Sequence, residues 1–148
     1  MRRLVAFAFA LALALSLAPP SPRAEGAPAA AGVKAVLEQS QQFYYAGDPF
    51  RVRIVIGNDG DAEVANPVKA ALFRGLQVRR PGGTAVEAKG KPDVPEPSRP
   101  EKLAPKAFYG SVVDLAQIFP DLRAPGQYEL QWSADGISSS SVLVRIIP

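Results

Sequence analysis

Between Phe50 and Ile56 the chain alternates. Phe50, Val52, Ile54 and Ile56 form one set, and Arg51, Arg53 and Val55 stand between them. A period of two places these sets on opposite faces of an extended strand, one apolar and one mostly wet. Tyr128, Leu130 and Trp132 repeat the pattern against Glu129 and Gln131, and Val142, Val144 and Ile146 repeat it against Arg145. No segment keeps a helical period over ten residues. A strand apolar on one face buries that face against a second layer, which restricts the chain to sheet architectures.

Turn residues punctuate the rest. Val33–Ser40 reads as a first short strand. Phe43-Tyr44-Tyr45 runs into a Gly47-Asp48-Pro49 turn, and Asn58-Asp59-Gly60-Asp61 ends the arginine-bearing strand. Val64–Phe73 fits either a strand or a helical turn. Leu76–Arg80, Pro81-Gly82-Gly83 and Thr84–Ala88 form a hairpin. Lys89–Lys102 carries Pro92, Pro95, Pro97 and Pro100, too many missing donors for a sheet ladder, so it reads as an exposed, extended loop. Its PxxP spacings need no further reading than loop. Phe108–Leu115 is a strand, and Gln117–Leu122 a turn or a single helical turn. Ala134-Asp135-Gly136 turns the Tyr128–Trp132 strand back into Ser138–Ile147, whose Ser138–Ser141 run reads as a polar edge. The pattern predicts an all-β, immunoglobulin-like antiparallel β-sandwich of about seven strands over residues 33–148. Tyr128, just after Gly126, suits a tyrosine corner, and Trp132 lies in phase with the core.

The N-terminus has a separate signature. Met1-Arg2-Arg3 precedes Leu4–Leu17, in which only Ser16 is polar, and Pro19-Pro20 follows. About 20 apolar residues are needed to cross a bilayer. A charged start, a short apolar run and a small-residue exit at Ala24-Glu25-Gly26 predict a signal peptide over 1–26, then a disordered lead at 27–32. The expected location is exported, periplasmic or extracellular, with no membrane insertion after cleavage. Loss of Arg2, Arg3, Arg23 and Glu25 leaves 14 basic and 13 acidic residues, a net charge of +1. That near-neutral balance argues against a nucleic-acid partner. With no Cys, the domain is held by core burial alone, without disulfides.

The same composition narrows the chemistry. There is no His and no Cys. The usual general base, the thiol nucleophile and the commonest zinc ligands are therefore missing. No glycine-rich nucleotide loop is present. Asn58, Asp59, Asp61 and Glu63 are oxygen ligands of the kind calcium takes, but without EF-hand spacing they read as a turn. The expectation is no catalytic residues, no cofactor, no metal and no enzyme activity. Instead the chain reads as an accessory or binding module contacting a protein or cell-envelope component. Loops carry function on such scaffolds, so Lys89–Lys102 and Asn58–Glu63 are the expected contact regions.

Phe43, Gly47 and Pro49, followed by the alternating strand and Asn58, resemble the start of many bacterial immunoglobulin-like modules, including macroglobulin-like and intracellular-protease-inhibitor-like ones. Phe108-Tyr109-Gly110, Val113-Asp114-Leu115, Phe119-Pro120, Pro125-Gly126-Gln127-Tyr128 and Trp132 are more particular. They are similar to the N-terminal sandwich module that precedes the cyclophilin-type domain in some exported bacterial peptidyl-prolyl isomerases. The resemblance spans Val33–Pro148 and implies a stand-alone or truncated accessory module. No isomerase active-site residue carries over. A sandwich-type protease inhibitor, presenting one loop as a substrate mimic, is the other reading.

Overall fold

The computed structural model describes residues 32–93 and 95–148. The signal peptide expected at 1–26, and the lead expected at 27–32 apart from Gly32, lie outside them. The described chain is all-β, as the alternation predicts. Its strands are β1 (Val33–Gln39), β2 (Phe43–Tyr45), β3 (Arg51–Asn58), β4 (Val64–Ala65), β5 (Leu76–Arg79), β6 (Ala85–Val86), β7 (Lys102–Leu103), β8 (Phe108–Asp114), β9 (Gly126–Ala134), β10 (Ile137–Ser138) and β11 (Val142–Ile147). Seven of them exceed two residues. The one α-helical turn is α1 (Leu115–Ile118), and 3-10 turns lie at Leu72–Gly75 and Pro120–Arg123. The ambiguous Val64–Phe73 stretch thus divides into a two-residue strand and the start of a 3-10 turn.

The smaller sheet has the order β1-β3-β8, and the larger β2-β11-β9-β5-β6 with β10 paired to β9. A two-stranded ladder joins β4 and β7. All pairs are antiparallel except β2 with β11, which run parallel from Phe43 beside Arg145 to Tyr45 beside Ile147. The chain crosses between the sheets at Ser40–Gln42: β1 belongs to one and β2 to the other.

Alternation puts the apolar set of each sheet into one core. Val52, Ile54 and Ile56 of β3 are at most 1% exposed, as are Leu130 and Trp132 of β9. Trp132 lies against the Gly75 backbone, and its indole N–H donates to the Leu72 carbonyl at 2.6 Å. The indole nitrogen is therefore satisfied inside the core, as a buried donor must be. The Tyr128 hydroxyl donates to the Ala124 carbonyl at 2.9 Å, the bond expected of a tyrosine at this corner. The hairpin turn at Asp135-Gly136 takes positive φ at both residues (49° and 80°), the backbone a two-residue hairpin loop demands.

Two expectations change. Ser138–Ile147 is not one strand with a polar serine edge. Ser138 faces Ser133 and Val142 faces Leu130, so four steps on one strand match three on the other. The extra residue is a bulge at Ser139, which is 5% exposed. Its Oγ accepts from Trp132 N–H at 3.0 Å and its own N–H donates to the Trp132 carbonyl. A side chain replaces the missing ladder acceptor there.

The proline-rich segment is a loop, as its prolines require, but Lys102 already belongs to β7 and the rest is pinned as a strap. Lys89 and Gly90 donate to the Ile118 carbonyl at 2.8 and 3.1 Å. Asp93 pairs with the Gln117 side chain. Glu96 accepts from Leu72 N–H, and Arg99 donates to the Lys69 and Ala70 carbonyls. Pro100 and Glu101 are both bonded by Asn66.

Candidate functional site

The two regions expected to make contacts are largely engaged with the protein itself. Asn58 ends β3 with 1% exposure. Its Nδ2 donates to the carbonyls of Ala62, Leu103 and Ala104 at 2.8–3.2 Å, and its Oδ1 accepts from Gly60 N–H at 2.9 Å. Each acid of the loop that follows has a lysine partner: Asp59 with Lys34 at 2.7 Å, Asp61 with Lys106 at 3.0 Å and Glu63 with Lys102 at 3.0 Å. Hydrogen bonding and charge from Lys34 hold the Asp59 carboxyl below the usual carboxylate range, with Lys106 adding to the effect and desolvation opposing it. The same pair raises the Lys34 amine. These residues close a loop onto the end of the smaller sheet. The strap is exposed along its side chains but tied at both ends and in the middle.

The outer face of the larger sheet is different. Register places Phe43, Arg145 and Gln127 in one row across β2, β11 and β9. The next row holds Leu143, Glu129, Arg79 and Ala85, and Tyr45 lies beside Ile147. Phe43, Tyr45 and Leu143 are 54–59% exposed. Large apolar side chains this open on one face are the kind of feature that accompanies interaction surfaces, and Phe108, Val112 and Val36 on the smaller sheet are comparably exposed. Arg79 pairs across the strands with Glu129, Arg145 lies in the neighbouring row, and Asp48 N–H donates to the Tyr45 carbonyl at 3.1 Å.

The crossing of the chain between sheets shapes this face further. β2 follows β11 only from Arg145 onward, so a notch of about 650 Å³ opens beside Ser141–Val144. Gln39, Gln42, Phe43, Gln127, Leu143 and Arg145 line it. Gln39 reaches the Leu143 carbonyl with its Nε2 at 3.4 Å, while its Oε1 is buried without a partner. A smaller hollow of about 220 Å³ lies between Leu143, Glu129 and the Pro81-Gly82-Gly83 turn. The notch and hollow together present amides, guanidinium groups and apolar side chains.

Sequence reasoning missed this face. The signal was present: Phe43 and Tyr45 flank the buried Tyr44 with period two, and Leu143 shares its phase with Arg145. Only the parallel β2–β11 pairing brings the two sets together. Among the described residues no group of three His, Cys, Asp or Glu side chains is placed to hold a metal ion, and no helix is long and apolar enough to cross a membrane. Compared with models of protein families and with curated proteins, the chain matches none.

Proposed function

We propose that the protein is an exported, non-catalytic binding module of immunoglobulin-like sandwich type, which holds a protein or cell-envelope partner on the outer face of its larger sheet. The observation that carries this reading is the cluster of Phe43, Tyr45 and Leu143 beside Arg145 and the notch. The sandwich reading is supported by the β1-β3-β8 and β2-β11-β9-β5-β6 orders, by the crossing of the chain from β1 in one sheet to β2 in the other, and by the Tyr128 corner. Export is supported by the charged, short apolar start of the chain.

A photo-reactive amino acid placed at Leu143 in the full-length protein tests the reading in the producing cell. It is expected to cross-link one discrete envelope partner, with the product lost in Arg145→Glu and kept in Val36→Lys on the opposite sheet. Cross-links that arise equally from Val36 and Leu143 would overturn the assigned face. An unprocessed N-terminus by mass spectrometry would overturn the export reading, and proline isomerisation by the purified chain the non-catalytic one.

The pinned strap favours a second reading, a protease inhibitor that presents the strap in one fixed shape. Titration against exported proteases separates the two. Stoichiometric inhibition supports the second, and cleavage within the strap without inhibition removes it.

A further inference from the structure

We propose that β8 is a strand-addition edge at which a second copy of this chain pairs antiparallel about Gly110. The smaller sheet ends on β1 at one side and β8 at the other. Asn58 N–H donates to Ala107 and Leu115 N–H to Phe50. With the register of β3 and β8, these two bonds set the parity of the ladder. Tyr109, Ser111 and Val113 turn their backbone groups to β3, while Phe108, Gly110 and Val112 turn theirs away from the sheet. The opposite edge has the same kind of outward groups on Val33, Ala35 and Leu37, but these residues are only 6–8% exposed, so that edge is covered. On β8 the matching residues are open: Phe108 is 65% and Val112 51% exposed.

Open edges in stable monomers are blunted by lysine, proline, bulges or short length. From Phe108 to Val113 this edge has no charge and no proline, and β8 is seven residues long. The other sheet ends on β2 and β6, of three and two residues. Among the described residues, the strap that runs beside β8 makes no backbone bond to Phe108, Gly110 or Val112. Pro92, Val112–Asp114, Gln117 and Arg51 line a hollow of about 360 Å³ at one end of this edge.

The occupant follows from the side chains. A two-fold axis at Gly110 lets Gly110 bond Gly110 of the second copy. It also sets Phe108 opposite Val112 of the second copy, and Val112 opposite its Phe108. Aromatic and β-branched residues facing each other across strands are a favourable pair. At the axis no side chains collide. Gly110 is already required within one chain, because a Cβ there would strike the Ile54 carbonyl. Moving the axis to Ser111 sets Phe108 opposite Asp114, whose carboxylate already accepts from Phe50 and Ala116 N–H. A foreign strand could take the same backbone bonds, but this chain supplies its own matched apolar partners. The product is a continuous six-stranded sheet, leaving the face assigned to partner binding outside the contact.

Sedimentation of the signal-processed protein over a wide concentration range tests this, together with amide hydrogen exchange. The weight-average mass is expected to rise towards twice the chain mass. The Phe108, Gly110 and Val112 amides are expected to slow with concentration, while the Val33 and Ala35 amides do not change. Val112→Pro removes an N–H that has no partner among the described residues, so it is expected to weaken association more than about tenfold with little change in monomer stability. Val112→Lys acts through charge and is expected to do the same, whereas Leu143→Asp on the other sheet leaves association intact. A monomer at every concentration with unchanged β8 amides overturns the proposal. So does a dimer that survives both Val112 variants, or one that Leu143→Asp dissolves.

Discussion

Asn58 shows what one buried amide does in a small core without disulfides. Four hydrogen bonds gather the end of β3, the following loop and the β7–β8 connection around a single side chain. Asn58→Ala leaves buried carbonyls unbonded, which costs about 1–3 kcal/mol each where water cannot replace the donor. A loss of about 2 kcal/mol or more in denaturant unfolding is expected. Asn58→Asp is the sharper variant. It points a carboxylate at the carbonyls of Ala62, Leu103 and Ala104, adding repulsion and the burial of a charge. It should be worse than Asn58→Ala at neutral pH and recover part of the difference in acid, where protonation restores a donor. Equal losses at both pH values would contradict the assigned geometry. The residue type alone suggested a turn. Its role as a clamp depends on Leu103 and Ala104, 45 and 46 residues away, which local sequence does not reveal.

At the scale of elements, the strap and the charged loop make separate predictions. Gly90 lies so close to α1 that a Cβ would collide with the Gln117 carbonyl. Gly90→Ala should therefore lift the N-terminal end of the strap from Ile118. Limited trypsin digestion is expected to spare the bond after Lys89 in the parent protein and to cut it early in the variant, since the Lys91–Pro92 bond resists trypsin in both. Equally rapid cutting in both would mean the anchor does not hold. For the loop, the folded state holds the Asp59 carboxyl below its ordinary value through Lys34. Its contribution to stability is thus present above the ordinary carboxylate range and is lost as pH falls through and below it. The raised Lys34 amine contributes through neutral pH and loses its contribution only in alkali. Between pH 7 and pH 3 the melting temperature of the parent should fall more than that of Asp59→Asn. The gap should be small, because both groups are solvent-exposed, and should narrow in high salt. β3, β9 and most of β11 were legible from alternation because one face of each is buried along its length. The strap's anchors were not, since they join residues 24 to 34 positions apart whose types signal only a loop.

For the molecule as a whole, both sheets contribute to one core and Trp132 stands at its centre with no exposed surface. A shared core predicts a single cooperative transition. Trp132 is the only tryptophan, so its fluorescence reports that core directly. Its change is expected to coincide with the loss of far-UV circular dichroism across a urea titration. Two separated transitions would mean the sheets unfold independently. The sequence by itself determined the fold class, the main strand phases and the burial of Trp132. A period of two is a local property, and most turns were marked by Gly, Pro or Asp, the crossing at Ser40–Gln42 being an exception. It also determined the absence of histidine and thiol chemistry. Tertiary structure alone decided which strands are neighbours. That pairing gathers Phe43, Tyr45, Leu143 and Arg145 on one face, inserts Ser139 as a bulge and leaves the edge of β8 open. Each of these depends on register between distant segments, and register is set by how whole faces pack, which no single stretch of residues encodes.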